Sequence, residues 1–110
     1  MDWGLRNDGG QLVASPTGRV DEESWKDFST QLNAAVQEAL AGAIPVLVID
    51  LSGLEYMTSK GLRALTVAKN EARGAVTIRL AAPNGTMRRI LSISRYDMLF
   101  PVVDHVDSAR

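Results

Sequence analysis

Two adjacent hydroxyls, Thr58 and Ser59, are the side chains of this chain best placed for chemistry, because they stand where a polar loop gives way to a helical pattern. In residues 45–65, PVLVIDLSGLEYMTSKGLRAL, an apolar, β-branched run leads into that loop and the helix opens at the pair. With Thr58 as N-cap, Met57 precedes it and Leu62 is the fourth helical residue, which is the hydrophobic-staple arrangement. Ser59 is then the first helical residue, with its hydroxyl outward. A helix N-terminus carries unsatisfied N–H groups and a partial positive charge, so a phosphate on Ser59 is favoured there. It would add roughly two negative charges, enough to turn away a partner that fits the bare hydroxyl. The same pair also has a purely structural reading, since Ser and Thr are among the commonest helix caps. Lys60 suits neither role neatly: a cation in the first turn opposes the dipole, although it can pair with a phosphate on Ser59.

Other chemistry is poorly provided for. The chain has no cysteine, which removes disulfides, thiol catalysis and thiolate metal sites together. His105 is the only histidine and falls in the C-terminal tail, so no histidine cluster can hold a metal. No Gly-Lys-Ser/Thr follows a glycine at the spacing of a Walker loop; Gly53 is isolated, and Gly9-Gly10 precedes a strand instead of a helix. Asp50 and Glu55 make a conceivable carboxylate pair, but Asp50 ends an apolar strand and reads better as a turn former. These residues point to a protein that is not an enzyme and carries no cofactor or metal.

Charge gives a second constraint. Over 110 residues the net charge is −1, yet residues 1–55 hold nine acids and three bases, while residues 56–110 hold four acids and nine bases. The bases are scattered and lack the aromatic interleaving that single-strand binders use for stacking, so nucleic acid is not an expected partner. A hydrophobic fraction of 45% with 23% charged residues is ordinary for a globular protein, and the apolar runs are strand-sized, so no membrane insertion is expected. The start, Met-Asp-Trp-Gly, has neither basic residues nor an apolar stretch, so a cytoplasmic location is expected.

The elements that must position Ser59 follow from pattern. Residues 3–6 and 11–15 read as a hairpin around Asn7-Asp8-Gly9-Gly10, with Pro16-Thr17-Gly18 breaking the second strand. A helix follows, capped by Asp21, stapled by Val20 onto Trp25 and stopped at Gly42. Residues 46–51 suit a central strand buried on both faces. A helix from about residue 59 to 73, stopped by Gly74, leads to a strand at 76–81. Pro83-Asn84-Gly85 turns into a short helix that carries Met87, Ile90 and Leu91 inward, and Val102-Val103 is a last brief strand. Strands alternating with helices predict one α/β domain over residues 1–110 with a mostly parallel sheet, the hairpin adding an antiparallel part.

Those residues resemble the signature of the STAS domain, specifically the bacterial anti-sigma factor antagonist family. The matching features are the apolar strand ending in Asp50-Leu51-Ser52, then Tyr56, Thr58-Ser59, Gly61 and Leu62. The likeness extends over nearly the whole chain, including Gly18-Arg19-Val20-Asp21 and residues 99–103. It implies a small mixed sheet of four to five strands with three to four helices packed mainly on one side. It also implies partner switching. The unphosphorylated antagonist binds an anti-sigma factor that is also a serine kinase, phosphorylation at Ser59 releases it, and a serine phosphatase restores it. Thr58 is a second candidate acceptor. The implied partner face comprises Thr58, Ser59, Lys60, Arg63, Thr66 and Asn70, with the loop at 83–88 beside it, on a protein expected to be a monomer. Three departures stand out: Thr58 where Asp is frequent, Lys60 where a small residue is common, and a shortened C-terminal helix. The alternative is a non-switching STAS subunit docked on a transporter ATPase or another regulatory complex, in which Thr58 and Ser59 act only as caps and contacts.

Overall fold

A computed structural model describes residues 1–109. Its elements in chain order are β1 (Asp2–Asp8), β2 (Gln11–Val20), α1 (Trp25–Ala41), β3 (Val46–Asp50), β4 (Leu54–Met57), α2 (Ser59–Ala72), β5 (Thr77–Ala81), α3 (Gly85–Ile93) and β6 (Val102–Val103), with 3-10 turns at Tyr96–Met98 and Val106–Ala109. β1 and β2 pair antiparallel, from Asp2 opposite Thr17 to Asp8 opposite Gln11. The remaining pairings are parallel, giving the order β1-β2-β3-β5-β6, with β4 on the far half of β2. The mixed sheet with helices is therefore as the sequence implies. It holds six strands among the described residues, one more than the upper expectation.

Two local readings are corrected. Pro16-Thr17-Gly18 does not break β2, which runs on to Val20. The proline is tolerated because it lies in the gap between two ladders on the inner side of β2: pairing to β3 ends at Ala14, and pairing to β4 starts at Gly18. The polar loop before Thr58 contains a strand, β4. Its register against β2 shifts between Gly18 opposite Leu54 and Val20 opposite Met57. That irregularity buries Leu54 and Met57 three residues apart and hides the alternation by which a strand is recognised.

The core lies on one face of the sheet. Leu12, Ala14, Leu47, Ile49, Ile78 and Leu80 meet α1 through Phe28, Leu32 and Val36, α2 through Leu65 and Ala68, and α3 through Met87 and Leu91. Phe28 is fully buried with Trp3 edge-on at 6.0 Å, a contact that anchors α1 to β1. On the opposite face Val13, Val48 and Ala81 form a smaller cluster, with Val46, Val103 and Val106 against it. β3 is buried on both faces, as its unbroken apolar run requires.

The two helix ends that the sequence assigns to glycines are made differently. At the end of α1 the left-handed residue is Ala43 (φ 53°), one position beyond Gly42. Ala43 N–H donates to Leu40 O at 3.3 Å and Ile44 N–H to Ala39 O at 2.8 Å, a Schellman pair. At the end of α2, Arg73 takes the left-handed conformation before Gly74. A side chain with a Cβ is strained there, so Ala43→Gly is expected to stabilise the protein by up to about 1 kcal/mol, read from the urea midpoint.

Candidate functional site

Three elements set the position of Ser59. The hydrogen bond from Thr58 N–H to Val20 O, at 2.9 Å, fixes the end of β4 to the end of β2. Upstream, the Asp50 carboxylate accepts Ser52 N–H at 3.0 Å, so Asp50 does form the turn expected of it. Leu54 N–H closes the same turn onto Leu51 O. Downstream, the third helical residue is Gly61. A Cβ there would collide with Met57 Cγ and lie 2.8 Å from Val20 Cγ1. Only a glycine lets the first turn of α2 descend this far onto β2 and β4.

Thr58 occupies the N-cap position with an extended backbone (φ −83°, ψ 176°), and its carbonyl accepts Gly61 N–H and Leu62 N–H. Its hydroxyl makes no capping bond; Oγ1 is buried without a hydrogen-bond partner. The expected side-chain cap is thus absent, and the first turn of α2 contains no acid. The positive end of the helix dipole is left uncompensated by its own helix. Ser59 is exposed at this end, whereas the Thr58 hydroxyl is turned into the interior.

Lys60, which as a bare first-turn cation opposes the helix dipole, is held by the start of α1 and the turn before it. Its Nζ lies 2.9 Å from Glu22 Oε2 and 5.1 Å from the centre of the Trp25 ring. Both ends of the Lys60–Glu22 pair are exposed, and such an ion pair contributes only about 0–1 kcal/mol. Trp25, Ser29, Lys60, Arg63, Ala64 and Val67 line a groove of about 300 Å³ between α1 and α2. Arg63 and Asn70 are exposed along the stripe that begins at Ser59. Thr66 lies on the other flank, half-buried, with Oγ1 2.7 Å from the Tyr96 hydroxyl. Its hydroxyl is already engaged.

Asn84 joins the 83–88 loop to this end of the molecule. Its amide donates to Leu54 O at 3.0 Å and, at 3.4 Å, to Glu55 O, while its Oδ1 accepts Met87 N–H and caps α3. Sequence reasoning takes Asn84 for a turn residue and has no positioning role for Trp25 or Tyr96. An N-cap signal was present at Asn84, but its carbonyl partners on β4 are about thirty residues away in sequence. His105 is exposed in the C-terminal segment.

Asp21 organises the approach to α1. Its Oδ1 accepts Glu23 N–H at 3.0 Å and Ser24 N–H at 3.1 Å, one turn ahead of the assigned helix start at Trp25. Partial burial alone would raise this carboxyl, but the bonds from Glu23 N–H, the Arg19 side chain and Ser24 outweigh it and hold the group below its ordinary value of 3.8. A depressed folded-state pKa means stability that is present above the unfolded value and lost as pH falls through the folded one. Thermal unfolding followed from pH 6 to pH 2 is expected to show a smaller acid-side loss in Asp21→Asn than in the wild type.

A sheet with helices on one face, and an exposed serine opening the helix after β4, define the STAS class. The STAS domain family model matches residues 3–109, and the chain belongs to that family. Within it, the chain is homologous to the bacterial anti-sigma factor antagonists. An anti-sigma factor antagonist from Mycobacterium paratuberculosis is 26% identical, with 98% of this chain and 89% of that one covered and a TM-score of 0.81. A STAS domain protein from Planctomyces limnophilus, also described as an anti-sigma-factor antagonist, is 20% identical over 97% of this chain and 92% of that one, with a TM-score of 0.84. The phosphorylated form of SpoIIAA, a cell fate determinant of Bacillus, is 17% identical over 97% and 96%, with a TM-score of 0.66. No curated protein sequence matches the chain significantly.

Proposed function

We propose that this protein is an anti-sigma factor antagonist that works by partner switching, with Ser59 as its phosphorylated residue. Unmodified, it binds an anti-sigma factor that is also a serine kinase, through the exposed stripe of α2 at Ser59, Arg63 and Asn70 with Thr58, Lys60 and Thr66 at its margins. The kinase transfers the γ-phosphoryl group of ATP to Ser59 Oγ, the hydroxyl proton is lost, and ADP leaves. The phosphorylated protein is released, and a serine phosphatase returns it to the binding form. In this reading the protein acts as a cytoplasmic monomer and catalyses nothing itself.

The observation that carries the reading is the pairing of an exposed Ser59 with an uncapped, acid-free helix start. Such an end accepts a phosphate without unfolding, because backbone N–H groups and the dipole favour the anion. The burial of Thr58 Oγ1 favours Ser59 over its neighbour as the acceptor. In the test, the protein is incubated with ATP and an anti-sigma serine kinase, and the added mass is localised by fragmentation mass spectrometry. One phosphate on Ser59, lost in Ser59→Ala, is the expected result. Absence of phosphate on Ser59 would support the non-switching STAS subunit instead.

A further inference from the structure

We infer that Lys60 relays the state of Ser59 to the groove between α1 and α2: a phosphate on Ser59 draws the Lys60 ammonium away from Glu22 and Trp25. This rests on the reading of Ser59 as the modified residue and adds the means by which the modification is felt beyond its own atoms. Two features of the structure carry it. The Lys60 side chain comes from the first turn of α2, yet both of its contacts, Glu22 Oε2 at 2.9 Å and the Trp25 ring at 5.1 Å, belong to the α1 end. Both contacts are also exchangeable, since Lys60 is 47% and Glu22 71% exposed, and an exposed pair is weak.

A phosphate on Ser59 competes well for this cation. It bears up to twice the charge of the Glu22 carboxylate and three acceptor oxygens, and charge-assisted bonds to it are stronger than an exposed carboxylate pair. Adjacent residues of a helix do not ordinarily face one another. At a helix start the geometry differs, because side chains lean toward the N-terminus and a residue covers the surface preceding its own Cα. A side chain leaning this way lets the Lys60 ammonium swing from Glu22 to the mouth of α2, where the uncapped N–H groups attract the phosphate. Arg63, four residues beyond Ser59, is the competing cation on the stripe. Arg63 lines the same groove, but among the described residues it forms no ion pair with Glu22 and no cation–π contact with Trp25, so only the Lys60 exchange frees the Glu22 carboxylate and the Trp25 ring.

The exchange is tested on protein with phosphoserine installed at position 59 during synthesis, which needs no kinase. In a Trp3→Phe background, where Trp25 is the sole tryptophan, phosphoserine is expected to shift Trp25 emission to that of unmodified Lys60→Gln, and to cause no further shift within Lys60→Gln. In the otherwise native chain, the 31P titration midpoint of the phosphate, near pH 6, is expected to lie about half a pH unit lower than in Lys60→Gln, the shift an exposed ion pair produces. Arg63→Gln should leave the larger part of that difference in place. Unchanged Trp25 emission on phosphorylation, or a midpoint that responds to Arg63→Gln and not to Lys60→Gln, overturns the inference. If a kinase never modifies Ser59, the partner-switching reading fails while these measurements still decide the exchange.

Discussion

Phosphorylation of Ser59 is expected to weaken binding to the anti-sigma partner by roughly 100-fold, and Ser59→Asp by less. An interface that fits a hydroxyl must desolvate a group of about two negative charges once it is modified, and an unmatched charge of that kind costs on the order of 3 kcal/mol. Aspartate brings one charge and two oxygens on a shorter stem, so it reproduces only part of the penalty. Ser59→Ala should fold like the wild type, because Ser59 is exposed and is not the helix cap, and in binding it should lose only one neutral contact, about tenfold or less. Isothermal titration of the four forms against the same partner gives the comparison. Equal affinity of the phosphorylated and bare proteins would falsify the switch.

Gly61→Ala is expected to destabilise the protein by about 1–3 kcal/mol, which for a chain of this length lowers Tm by roughly 5–15 °C. Substituting alanine for glycine inside a helix would ordinarily help by roughly 0.5–1 kcal/mol, so the predicted sign runs against propensity. The added Cβ would fall on Met57 Cγ, with Val20 Cγ1 at 2.8 Å and Met57 Sδ at 3.0 Å. Met57 and Val20 are buried where β4 meets β2, and neither can withdraw without opening the core. The first turn of α2 must lift instead, carrying Ser59 and Lys60 with it. Phosphorylation of Ser59 in this variant should therefore slow even at temperatures where it remains folded. A wild-type Tm in Gly61→Ala would show that the contact is looser than the structure has it.

Much of the architecture that presents Ser59 was legible because it rests on local periodicity. The apolar run of β3, the stripe of α1 and the start of α2 each repeat a pattern within a dozen residues, and the observed elements follow them closely. The elements that were misread depend on partners distant in sequence. β4 exists because the far half of β2 offers it a parallel edge, and β2 reaches that far because its proline falls between two ladders.

At the site the division is the same. The position of Ser59 at the head of a helix was determined by the sequence itself, through a strand run, a polar break and a small polar pair, all short-range signals. The tertiary structure alone decided which hydroxyl is open to solvent, since Thr58 turns its oxygen inward against the β2–β4 contact. It alone gave Lys60 its partners, because Glu22 and Trp25 come to it from the turn before α1 and the first residue of α1, more than thirty residues earlier in the chain. Helix periodicity orders residues along one element; only the packing of α1 beside α2 on a shared sheet face brings their charges and rings within reach of each other.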